Sequence, residues 1–90
     1  MSYLEKRREP RQAASGRLLI RAVEPANAPL VPGRLLDLSL HGFRAAHLCH
    51  NLMPGQEVDF EHDSAAGRAR VVWNRILAGE VETGFFILHP

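Results

Sequence analysis

Arg34-Leu35-Leu36-Asp37-Leu38-Ser39-Leu40-His41-Gly42-Phe43-Arg44-Ala45 is the stretch whose pattern decides the fold. In an extended chain Leu36, Leu38 and Leu40 share one face, while Asp37 and Ser39 share the other. The leucines are therefore expected to point inward, and Asp37 and Ser39 outward together. This period of two predicts a half-buried strand over residues 34–39. Gly42 then turns the chain. Phe43 and Ala45 resume an inward face in a short third strand, with Arg44 outward.

Working outward from this stretch, the same period recurs. Arg17–Glu24 is the first strand, with Leu18, Ile20 and Ala22 on one face and Leu19 and Val23 on the other, so its orientation stays open. Residues 25–29 read as a loop. Residues 47–55 break the pattern: Leu48 and Leu52 suit one helical turn, and Pro54-Gly55 is a turn signal. Val58 and Phe60 alternate with Asp59 and Glu61 in a fourth strand, and residues 63–67 turn the chain into a fifth. There Ala69, Val71 and Trp73 face one way and Arg68, Arg70 and Val72 the other. Ala78-Gly79 turns again into the last strand, where Val81, Thr83, Phe85 and Ile87 share a face and Gly84 marks a bulge. Six short strands in 90 residues predict an all-β domain, a small six-stranded antiparallel β-barrel, because closure removes exposed strand edges. Residues 17–90 form this barrel. Residues 1–16 are a flexible basic N-terminal arm, kept out of a helix by Pro10, and the whole is one domain.

Composition sets the class. An apolar fraction of 46% and a charged fraction of 23% are those of a soluble globular chain. No apolar run approaches the ~18–20 residues that span a bilayer, so no membrane insertion is expected. The N-terminus lacks the apolar core of an export signal. Cys49, the single cysteine, has no partner for an internal disulfide. Both features favour a cytoplasmic location. Net charge is +1, but residues 1–21 carry six cations against two carboxylates, and the remainder five arginines against eight carboxylates. A basic leading segment on an acidic body suggests a local anion site rather than a DNA- or RNA-binding surface.

Arg7, Arg8 and Arg11 lie in that basic segment. Guanidinium groups bind phosphate bidentately, stack on flat bases and meet the O6/N7 edge of guanine. Asp37 can accept from a base N–H, Ser39 can donate or accept, and Gly42 allows close backbone approach. A ligand that is anionic and carries a purine suits this set.

Arg7-Arg8-Glu9-Pro10-Arg11 fits an RxxxR motif, and Asp37-Leu38-Ser39-Leu40-His41-Gly42 fits a (D/N)xSxxG motif. In their order and their separation by one strand, the chain resembles the PilZ domain, a small β-barrel receptor for cyclic di-GMP, from Arg7 to Leu88. The resemblance implies that Arg7 and Arg11 grip phosphate and guanine, and that Arg8 contributes or faces water. It also implies that Asp37, Ser39 and Gly42 supply the strand-borne half of the site. Binding is then expected to order the arm against the barrel and change a surface shown to a downstream protein partner. The helix that many relatives carry after the barrel is not expected here, which leaves the route to a partner open.

Other readings are weaker. His47, Cys49 and His50 lack two well-separated ligand pairs, so no metal site is expected. Trp73 shares a face with Val71 and is read as core, although it could stack on a guanine. His41 is read as an exposed position. No nucleophile–base pair suggests an enzyme, and no cofactor is implied. A nucleotide-free PilZ-like adaptor would show degenerate motifs, and an OB-like binder of single-stranded nucleic acid would show exposed aromatics. A monomer or homodimer suits either class.

Overall fold

The computed structural model describes residues 11–63 and 65–89. They form seven strands: β1 (Gln12–Ala13), β2 (Arg17–Ala22), β3 (Leu30–Leu38), β4 (Gly42–His47), β5 (Glu57–His62), β6 (Ala65–Leu77) and β7 (Glu80–His89). Every pairing is antiparallel, in the order β3-β2-β5-β6-β7-β4, and β4 pairs back onto β3 to close a six-stranded barrel. The extra strand β1 lies along the far end of β3, with Gln12 opposite Leu38 and Ala13 opposite Asp37. The arm expected over residues 1–16 therefore includes a short strand, Gln12–Ala13. Residues 47–55 hold no helix.

Inward residues from every barrel strand meet in one core. Leu18 and Ile20 of β2, Leu35 of β3, Phe43 and Ala45 of β4, Val58 and Phe60 of β5, Ala69 and Val71 of β6 and Phe85 of β7 are all buried there. Phe43 is at its centre, stacked on Phe85 at 4.7 Å between ring centroids and tilted against Phe60 at 5.0 Å. Each large apolar side chain so buried contributes about 1.5–3 kcal/mol relative to exposure. Gly42 allows β4 to approach β7 closely: a Cβ there would fall 2.5 Å from the Phe85 carbonyl oxygen.

Two bulges correct the predicted facing. The β3–β4 register shifts between Leu35 and Asp37, leaving Leu36 as the additional residue. Leu35 is consequently buried opposite Ala45, Leu38 packs on the core opposite Phe43, and Asp37 faces outward opposite Arg44. Leu36 is only half-buried, and Leu40 is 76% exposed in the turn. One inserted residue reverses strand parity, so strict alternation held for Asp37 and Leu38 but failed for Leu36 and Leu40. The β6–β7 register shifts twice, between Arg68 and Ala69 and between Val71 and Trp73, the second opposite Phe85 and Gly84. Val71 stays inside. Trp73 moves to the outer face, against the expectation that it joins the core.

The segment between β4 and β5 brings Leu52 into the core through a chain of polar contacts, whereas Leu48 is exposed. Cys49 N–H donates to His47 Nδ1 at 3.1 Å, which requires the His47 proton to sit on Nε2. Nε2 donates to Thr83 Oγ1 at 2.7 Å, Thr83 Oγ1 donates to Asn74 Oδ1 at 2.6 Å, and Asn74 Nδ2 donates to the Leu52 carbonyl at 2.8 Å. Both ring nitrogens of His47 are thus engaged by the protein, which accounts for this histidine without a metal. At the β6–β7 turn, Ala78 and Gly79 both have positive φ, 47° and 87°, as a two-residue type I′ hairpin requires.

Two stability outcomes follow from these features. The left-handed conformation costs a non-glycine residue roughly 1–2 kcal/mol, and Asn tolerates it better than Ala. Ala78→Asn should therefore raise the unfolding free energy by up to about 1 kcal/mol, read as a higher denaturant midpoint at unchanged slope. Burial, and then the neighbouring charge of His50, lower the His47 pKa below its ordinary 6.5. The unfolded chain then takes up a proton near pH 6.5 that the folded chain does not, so stability falls as pH drops below that value. The slope is at most about 1.4 kcal/mol per pH unit, and it levels off once folded His47 is protonated. Midpoints measured between about pH 7.5 and about pH 5.5 should show this fall in the native chain and lose most of it in His47→Gln. An equal slope in both proteins would assign the effect to another group.

Candidate functional site

The outer face of β3, β4 and β7 carries a continuous row of charges. Asp37 of β3 stands directly across from Arg44 of β4, and Arg44 in turn stands across from Gly84 of β7. Outward parity in β7 places Glu82 on this face, where it is also opposite Arg75 of β6. Cross-strand neighbours of opposite sign attract, and here they link into one chain. Arg11 Nη1 donates to Asp37 Oδ1 at 2.9 Å, and Arg44 Nε donates to Asp37 Oδ2 at 2.7 Å. Arg44 Nη1 also donates to Glu82 Oε2. The other Glu82 oxygen accepts from Arg75 Nη2 at 2.9 Å.

The two carboxylates are the buried members, Asp37 at 5% and Glu82 at 6% exposure. The three guanidinium groups cover them and remain partly open to solvent. The hydrogen bond from Arg75 holds the Glu82 carboxyl below its ordinary pKa, with the Arg44 charge adding to the effect and burial opposing it. For Arg44, burial alone would lower the pKa, but the bonds to Asp37 and Glu82 outweigh it and raise the value. Both groups stay ionised near neutral pH, and the cluster holds one more cation than anions.

Beside Asp37 the chain turns tightly. Ser39 N–H and Ser39 Oγ both donate to the Gly42 carbonyl, at 2.9 and 3.3 Å, and Ile87 N–H donates to the His41 carbonyl at 2.7 Å. The turn is thereby fastened to β7. It forms one wall of an open cleft of about 230 Å³ lined by Arg11, Ser39, His41, Gly42, Trp73 and Phe86, among others. The floor is Gly84, over which the Trp73 indole lies so closely that a Cβ would fall 2.4 Å from its Cε2 and Nε1. Arg75 stands 6.0 Å from the Trp73 ring centroid, within the range of a cation–π contact.

Of the residues singled out in the sequence, Arg11, Asp37, Ser39 and Gly42 are brought together here. Arg7 and Arg8 lie outside the described residues. Asp37 faces outward as expected, but it is buried and already holds two arginines. Gly42 has a structural reason to be glycine as well as a place in the cleft wall. Sequence reasoning assigned no role to Arg44, Arg75 or Glu82, although outward parity in β4 was a signal available for Arg44. It placed Trp73 in the core because a bulge leaves no mark in hydrophobic alternation.

Among solved structures, the chain is similar to the PilZ domain with c-di-GMP of YcgR from Escherichia coli. The TM-score is 0.75 at 19% sequence identity, over 93% of this chain and 79% of that one. No protein-family model matches the sequence, and no curated protein matches it. At this identity the likeness is one of fold: a closed six-stranded antiparallel barrel with one additional strand, as in the PilZ domain.

Proposed function

We propose that the chain is a cyclic di-GMP receptor domain whose ligand binds on the outer face of the barrel, between the basic N-terminal arm and the Ser39–Gly42 turn. The observation that carries this reading is the contact of Arg11, which lines the cleft, with Asp37. It joins the last arginine of the RxxxR motif to the first residue of the (D/N)xSxxG motif across 26 residues. The likeness in fold to a barrel solved with that dinucleotide supports it.

The chemistry proposed for each residue follows from its place. Arg44 anchors Asp37 through Oδ2 and keeps it oriented. Oδ1, held by Arg11 in the free protein, is the atom available to accept an N–H of guanine. Arg11 would then exchange its carboxylate for a ligand phosphate, with Arg7 and Arg8 as further guanidinium donors. The closing of the arm over the ligand would alter a surface offered to a protein partner. No step of this role requires bond chemistry or a cofactor.

Trp73 and Phe86, the latter 46% exposed, place aromatic rings on the outer face. An OB-like binder of single-stranded nucleic acid would present such rings too, so the decisive experiment compares ligands. Calorimetric titration with cyclic di-GMP, GMP and a short oligonucleotide should show saturable binding of the cyclic dinucleotide in clear preference to the others. Saturation by the oligonucleotide alone would replace the receptor reading with nucleic-acid binding. Heat from none of them would favour the adaptor class.

Charge-assisted hydrogen bonds contribute roughly 1.5–3 kcal/mol each. Arg7→Ala and Arg11→Ala should each weaken cyclic di-GMP binding by about tenfold to a hundredfold, and raised salt should weaken it further. Unchanged affinity in both variants would remove the arm from the mechanism.

A further inference from the structure

We infer that the free edge of β6, residues 72–77, is a self-association surface, on which a second copy of this chain adds its own β6 in antiparallel register centred on Asn74. The inference stands apart from the receptor reading, because it rests on backbone pairing along the sheet edge and needs no ligand.

The edge is open. β5 pairs with β6 only from Ala65 to Arg70, and Val71 then exchanges backbone hydrogen bonds with Gly55 and Gln56. There the chain turns away from the ladder. Gln56 N–H donates to the Met53 carbonyl at 3.0 Å, and Leu52 before it is joined to β6 by the Asn74 side chain. From Trp73 to Leu77 β6 pairs with β7. Among the described residues, no strand lies along its other edge. Backbone N–H and C=O groups on that side form a template for a further strand.

Sheet edges that stay single are commonly blunted by proline or by charge. The short open edge at the start of β3 carries such a residue: before Gly33, which faces His47, β3 pairs only with β2, and Pro32 lies there. Residues 72–77 contain no proline, and three of the six are exposed aliphatic residues, Val72 at 52%, Ile76 at 65% and Leu77 at 45%. The one charged residue among them, Arg75, is bridged to Glu82 on the neighbouring strand.

The order of these residues selects the occupant. A two-fold axis between antiparallel edges sets residues of one face opposite residues of the same face, so the axis passes through a residue position. The registers that use most of this edge are centred on Asn74 or on Arg75. Centred on Arg75, two guanidinium groups would stand opposite each other. Centred on Asn74, Val72 stands opposite the partner's Ile76, and Trp73 opposite the partner's Arg75. The first pair is aliphatic, the second sets a cation beside an aromatic ring, and the residue on the axis is neutral. The edge is therefore complementary to itself. The contact is isologous, so pairing uses both edges and assembly stops at two copies. One strand pair is small beside the ~1,200–2,000 Å² of a stable interface, so the dimer is expected in equilibrium with the monomer.

Sedimentation velocity of the full chain without ligand, over a concentration series, should show that equilibrium. Ile76→Lys puts a charge into the aliphatic pair and should weaken association by roughly tenfold or more. Leu30→Lys, a half-exposed leucine at the start of β3, should leave association unchanged. Circular dichroism checks that both variants keep the barrel. For the register, Val72→Cys and Ile76→Cys are made separately in a Cys49→Ser background, because opposed residues of antiparallel strands lie within disulfide reach. Under mild oxidation the two variants mixed should cross-link as a dimer, and neither should do so alone. A native chain that stays monomeric throughout overturns the inference, as does a dimer that Ile76→Lys leaves intact. Cross-linking of either variant alone as readily as in the mixture overturns the register. Cyclic di-GMP binding by a strictly monomeric chain would leave the receptor reading in place.

Discussion

Two buried carboxylates on the outside of the barrel, Asp37 and Glu82, are the constraint around which this face is arranged. A desolvated carboxylate is tolerated only when charged donors take up its lone pairs, and leaving one unpaired costs several kcal/mol. Arg44 sits between the two and serves both, while Arg11 and Arg75 close the outer ends of the chain. Among the described residues, no buried side-chain nitrogen or oxygen lacks a hydrogen-bond partner. The arginines are partly exposed, so water and salt screen their contribution to stability. Their main effect is geometric. They fix the rotamer of Asp37 beside a turn that is itself fastened to β7.

The bulges make this arrangement possible. In β3, the additional residue Leu36 lets Leu35 and Leu38 both reach the core while Asp37 between them faces out. The Leu36 carbonyl accepts from Ala14 N–H at 3.0 Å, so the same irregularity helps to hold the chain leading from Arg11 into β2. In β6, the additional residue releases Trp73 onto the outer face. Bulges commonly re-aim side chains beside functional sites. Here one serves the polar half of the cleft and the other its aromatic half.

This explains what could be read in the sequence and what could not. Alternation in Val58–Glu61 and in Val81–Ile87 identified inward residues correctly, because β5 pairs with β2, and β7 with β4, in unbroken register. Phe43 and Ala45 inward and Arg44 outward were legible for the same reason. The run Leu35-Leu36 was ambiguous: both residues are leucine, and only the hydrogen-bond ladder across to β4 decides which one is buried. Trp73 was misplaced on the same ground, since sharing a face with Val71 is a statement about an unbulged strand. Gly84 was a true signal of irregularity, but its side-chain consequence lay on the neighbouring strand. Of the proposed ligand-facing residues, Asp37, Ser39 and Gly42 were legible as a motif. Their link to Arg11 joins chain segments far apart and depends on β1 docking beside β3.

The occupancy of Asp37 bears on how a ligand would be selected. In the free protein its two oxygens are both satisfied, so a ligand gains little merely by offering a hydrogen-bond donor. Replacing Arg11 on Oδ1 is favourable only if the displaced guanidinium finds another anion of comparable strength. A lone guanine base offers the donor without the anion, and inorganic phosphate the anion without the donor. A molecule carrying both at the right separation satisfies each partner of the broken pair at once. On this argument the Arg11–Asp37 contact acts as a two-part test, and discrimination against partial ligands comes from the groups they would leave unpaired.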